Sequence, residues 1–160
     1  MQPLARGFAG LALATAMMFS AAVLPNRAGS QELQPLGDLD PKRVEQSYPL
    51  VRCAGFHLAN IEWTGETRLG GDTVARTKAE IETFMQAAAW VRIGATGDDP
   101  EWTSQIVLRD TSTIADLYLE RYKKNYANSG AAWDGDPLWE RDLKYCSSLL
   151  KPMQTQQSPQ

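Results

Sequence analysis

Two cysteines, Cys53 and Cys146, are the only ones in the 160-residue chain, and they bracket almost all of its patterned region. A pair placed so constrains the fold more than any other feature. If the two are bonded, everything between them is held in one closed loop. In the chain-entropy view such a cross-link contributes about 4–5 kcal/mol, comparable with the whole net stability of a small domain, about 5–15 kcal/mol. Whether they bond depends on compartment, and the front of the chain bears on that. Residues 1–30 carry Arg6, an uncharged apolar run over 8–24, and the small residues Ala28-Gly29-Ser30 before the first acidic residue, Glu32. This is the pattern of a cleavable signal peptide. Ser20-Ala21-Ala22 is a second cleavage candidate, and an uncleaved membrane anchor is the competing reading. An exported protein matures in an oxidising space, periplasmic or extracellular, where two cysteines usually pair. The form of the signal suggests a bacterium. Cys53 and Cys146 are therefore expected to form a disulfide.

Loss of residues 1–30 removes Arg6 and Arg27 from the 16 basic residues set against 19 acidic ones, taking the formal charge from −3 to −5. A mildly acidic chain has no electrostatic attraction to nucleic acid. No second long apolar run follows, so no stable membrane insertion is expected after signal removal. What remains is long enough for one domain, and five tryptophans and five tyrosines give it large surfaces to bury.

The periodicity is helical. Residues 31–47, with Pro35, Gly37 and Pro41, read as an extended lead-in. A first helix is expected from about Pro49 to Thr64, with Leu50, Cys53, Ala54, His57, Leu58 and Ile61 on one stripe and Gly65 as its stop. "GETRLGGD" reads as a turn, with Asp72 capping a second helix to about Ile93. A third helical segment spans about Glu101–Asn128. Its "RDTSTI" stretch, rich in poor helix formers, would divide it in two. Asp136-Pro137 is an N-cap and N1 pair for a last helix carrying Leu138, Trp139, Leu143, Cys146, Leu149 and Leu150, ended by Pro152. No segment alternates with period two over a useful length. The expected fold is all-α: a small bundle of about four helices over 48–151, the first and last tied by one disulfide, followed by a disordered polar tail at 152–160.

The motifs assign no activity. Cys53 and His57 are four apart, but two Cys and one His are too few for a structural zinc site, and a bonded cysteine is no nucleophile. His57 reads as a packed residue beside the disulfide. Asp134, Asp136, Glu140 and Asp142 do not hold the register of a calcium loop. Asp136 reads as a cap, while Glu140 and Asp142, flanking Arg141, read as a solvated helix face. Asp98-Asp99 and Glu80/Glu82 read as solvent-facing or capping groups. No haem-attachment, redox, phosphate-loop or serine-nucleophile motif is present, so no cofactor, metal or catalytic residue is assigned. Tyr118, Tyr122 and Tyr126, four apart, share one helical face and are candidate binding residues, with core as the competing reading. Trp133 lies in the Gly/Ala/Asp loop "NSGAAWDGD", where burial needs a reason, and is the best single contact candidate. The expectation is an exported, non-enzymatic helical protein that binds a partner protein or envelope component, in the manner of a chaperone, inhibitor or immunity protein. The alternative is a small envelope hydrolase using the carboxylates of residues 134–142.

Overall fold

The computed structural model describes residues 33–157, and side chains through residue 155. The expected signal segment and the last three residues lie outside the described residues. Five helices follow a 3-10 turn at Leu36–Asp38: α1 Tyr48–Thr64, α2 Glu66–Leu69, α3 Gly71–Thr96, α4 Pro100–Ser129 and α5 Pro137–Gln157. The described residues contain no strand. None of these helices is long and apolar enough to cross a membrane.

The all-α architecture is the expected one, with some boundaries moved. "ETRL" is not a plain turn but the one-turn helix α2, set between Gly65 and Gly70, both at positive φ. Gly70 rather than Asp72 flanks the start of α3, and Asp72 sits inside its first turn. α4 is not divided. Its poor helix formers are accommodated because Ser112 and Thr113 donate their hydroxyls to the carbonyls of Leu108 and Arg109, while Thr111 and Ile114 are buried. α5 runs through Pro152 to Gln157. A proline there forfeits one backbone bond near the helix end without stopping it.

α1 is the central element, packed against α3, α4 and α5. Every residue from Leu50 to Phe56 is buried, so the helix is covered on more than the one stripe its periodicity suggests. It packs tightly on α4 at Gly55. A Cβ there would lie 2.6 Å from Ile114 Cγ2 and 2.8 Å from the Thr111 carbonyl oxygen. Cys53 and Cys146 form the disulfide between α1 and α5, with Cα atoms 5.4 Å apart, and both are fully buried.

A polar network crosses this core. Arg52 on α1 donates to Asp142 Oδ2 on α5 at 2.6 Å, and through Nε to the Tyr118 hydroxyl on α4 at 3.0 Å. Tyr118 donates in turn to Asp142 Oδ2 at 2.5 Å. The other carboxylate oxygen accepts from the Leu36 backbone N–H at 2.7 Å, which pins the lead-in to α5. Asp142 is thus fully buried, not on a solvated face. It lies on the same i, i+4 row as Leu138 and Cys146, and its charge is matched inside. Burial works against the Arg52 cation, but Tyr118 and Asp142 beside it more than offset that and keep its pKa above the ordinary value.

Candidate functional site

The last turns of α1 and α4, together with α2 and the loop between α4 and α5, enclose a cleft of about 260 Å³ walled by Trp63, Tyr126 and Trp133. Its shape follows from how the loop is held. α4 ends at Gly130, whose φ of 77° lets its N–H reach back to the Tyr126 carbonyl at 2.8 Å. Asn125 donates to the Ala132 carbonyl at 2.9 Å and to Asp136 Oδ2 at 2.8 Å. Arg121 grips both oxygens of Asp136, at 2.6 and 2.7 Å. Asp136 also accepts from the Leu138 N–H at 3.0 Å, capping α5. Burial would raise the Asp136 carboxyl, but its bonds from Arg121, Asn125 and Leu138 outweigh that and hold it below the usual carboxylate range.

The aromatic wall is buttressed from behind. Trp133 stacks on Trp139, with ring centres 5.7 Å apart, and meets Tyr122 edge-on at 5.3 Å. Tyr122 and the Trp139 indole both donate to Asn60 Oδ1 on α1, at 2.7 and 3.1 Å. Burial pushes the Tyr122 hydroxyl above its ordinary pKa, so it stays a neutral donor. Trp63 meets Tyr126 edge-on at 5.8 Å. Trp133 is therefore braced before any ligand arrives, which lowers the ordering cost of binding there.

The tyrosine row is graded along α4. Tyr118 lies in the core network and Tyr122 behind Trp133, both fully buried, while Tyr126 is 57 % exposed. The row thus offers one surface residue rather than three. Trp133 is half-buried on the cleft wall. Trp63 and Arg68 also line the cleft and were not singled out in the sequence. Their place depends on α1 and α2 meeting the α4–α5 loop, which no local pattern records.

A second, polar cleft of about 280 Å³ adjoins the first. Arg121, Asn125, Asn128 and Asp136 line it, and it shares Ala131 and Asp134 with the aromatic one. It brings Asp134 and Asp136 together and leaves Glu140 out. A third concavity, about 300 Å³, lies between α3 and α4 and is lined by Met85, Ala89, Trp90, Ile93, Pro100 and Val107. Its polar lining is only Gln86 and Ser104, and Ser104 already donates to the Pro100 carbonyl. That groove has little with which to specify a ligand.

His57 packs between Phe56 and Phe84. Burial lowers its pKa to about 4. Its Nε2 has no hydrogen-bond partner among the described residues, and Nδ1 lies 3.8 Å from Glu80. Asp99 caps α4 by accepting from the Trp102 N–H at 2.9 Å. Among the described residues, no three His, Cys, Asp or Glu side chains gather as a metal site would require. In comparisons with known proteins, no family model, no curated protein and no solved structure matches the chain.

Proposed function

We propose that this chain is an exported helical binding protein that engages a partner protein or envelope component through the Trp63–Tyr126–Trp133 cleft. The observation that carries this reading is an aromatic cleft at the surface, with Trp133 braced by its stack on Trp139, whose indole is itself held by Asn60. The Cys53–Cys146 bond supports an oxidising compartment, periplasmic or extracellular. The alternative, an envelope hydrolase, draws on the meeting of Asp134 and Asp136 in the polar cleft. Against it, Asp136 is committed to Arg121, Asn125 and the α5 cap, and its lowered pKa suits neither a general acid nor a base poised near neutrality.

The test is co-sedimentation of the full chain with isolated cell envelopes, comparing Tyr126→Ala with Trp90→Ala, which alters the α3–α4 groove instead. Tyr126→Ala should weaken binding about tenfold or more, and Trp90→Ala should leave it unchanged. Binding that ignores Tyr126 removes the cleft from the function. Soluble envelope fragments released by the wild type but not by Asp134→Asn would establish the hydrolase instead. The intact mass of the exported protein tests export directly, and it should lack about the first 30 residues.

A further inference from the structure

We propose that the aromatic and polar clefts together form one site for a neutral oligosaccharide, an inference that rests on reading the Trp63–Tyr126–Trp133 cleft as the binding surface. A sugar ring has two chemically distinct aspects. Its faces carry polarised C–H groups, and its rim carries hydroxyls. The first suits the electron-rich face of an aromatic ring, and the second needs donors and acceptors that are not already spent.

The structure supplies both, side by side. Trp63, Tyr126 and Trp133 wall one cleft, and Asp134 and Ala131 are common to it and to the polar cleft. The polar residues divide into two sets. Arg121, Asn125 and Asp136 are occupied in holding the loop. Arg68, Asn128 and Asp134 line the clefts, and their side chains form no hydrogen bond or ion pair among the described residues. An ionised carboxylate accepts from two hydroxyls at once, a guanidinium offers five N–H donors, and an amide does both. This is the complement a ring of hydroxyls requires.

Charge and size narrow the class. Arg68 and Asp134 carry opposite charges on the same cleft, so the site has no net preference for an acidic or basic polymer, and a neutral sugar fits. Each cleft, at about 260 and 280 Å³, is slightly smaller than a typical drug-sized site of about 300–1,000 Å³. Each suits a single ring, with the ligand continuing from one cleft to the next past Asp134. An apolar protein side chain would fill the aromatic cleft equally well, but it would leave Asp134 and Arg68 beside it with nothing to bind.

The test titrates the full chain with three neutral trisaccharides, tri-N-acetylchitotriose, cellotriose and maltotriose. Tryptophan fluorescence and calorimetry follow the binding. At least one sugar should bind saturably. Tyr126→Ala and Asp134→Asn should each weaken it about tenfold or more, with Trp90→Ala unchanged. Tyr126 and Asp134 are exposed, and matching unfolding midpoints would show that these variants are folded. If no trisaccharide binds while envelope co-sedimentation still depends on Tyr126 and is abolished by protease treatment of the envelopes, the saccharide assignment falls and the occupant is a protein. If co-sedimentation is itself indifferent to Tyr126, the binding reading beneath it falls as well.

Discussion

A buried histidine makes folding sensitive to acid. Unfolded, His57 binds its proton near pH 6.5. Folded, burial delays that to about 4. As pH falls, the unfolded state is therefore protonated first. The stability associated with neutral His57 is complete above about pH 6.5 and is lost on the way down through pH 4, a total of about 3–4 kcal/mol. Glu80 works in the opposite sense, since burial raises its carboxyl and favours protonation in the folded state. His57→Leu should flatten the profile between pH 6.5 and 4 in urea unfolding at pH 7, 5.5 and 4.5. A wild type and variant that decline in parallel would clear His57 of the role. Asp142 makes the companion case. Asp142→Asn leaves Arg52 charged and buried without its counter-ion and should cost about 3–5 kcal/mol. The joint replacement Arg52→Met with Asp142→Leu should cost much less, because no charge is left behind. Equal losses in denaturant titrations would mean that packing, not charge pairing, governs this part of the core. Asp142 could have been placed from the sequence. It follows Leu138 and precedes Cys146 at intervals of four, on the stripe already assigned to the core, but its charge argued for solvent. Arg52 could not have been paired with it, because their meeting depends on how α1 and α5 pack.

Helices whose existence is plain from periodicity can still differ in how closely they approach. At Gly55, α1 and α4 meet with no room for a methyl group, whereas nothing lies within 4 Å of the Cβ position of Gly94 in α3. The two alanine substitutions should therefore have opposite signs. Gly55→Ala should destabilise by about 1–3 kcal/mol through overpacking, and Gly94→Ala should stabilise by about 0.5–1 kcal/mol by restricting the unfolded chain. Thermal unfolding of the pair decides the matter, and a stabilising Gly55→Ala would contradict the helix contact. The sequence pattern puts Gly55 inside the first helix but ends the second at about Ile93, one residue short of Gly94, whereas α3 continues to Thr96. The undivided α4 shows the related limit of propensity. "RDTSTI" is poorly helical in isolation, yet Thr111 and Ile114 face α1, and tertiary packing overrides local preference. The candidate site was legible to the same partial degree. Trp133 and Tyr126 stood out by their local settings, one in a polar loop and one on a helical row. The cleft between them needs Trp63 and Arg68 from elements remote in sequence.

For the molecule as a whole, the disulfide joins residues 93 apart in sequence, and its loss should lower stability by about 4–5 kcal/mol. Reduction with unfolding, or Cys53→Ser with Cys146→Ser, should shift the denaturant midpoint accordingly. Both sulfurs are sealed in the core, so alkylation should require reductant and denaturant together. Labelling of the native protein by reductant alone would show that the helices part readily at that seam. The bond from the Leu36 N–H to Asp142, across 106 positions, has a bearing on timing as well as stability. Any chain released N-terminus first, from a ribosome or through a translocation pore, presents Leu36 long before Asp142 exists to receive it, and Cys53 long before Cys146. The earliest anchored residue must wait for one of the latest. Until nearly the whole chain has emerged, its core network lacks a member and its covalent tie cannot close. Topology alone thus withholds the finished core until transit is almost over.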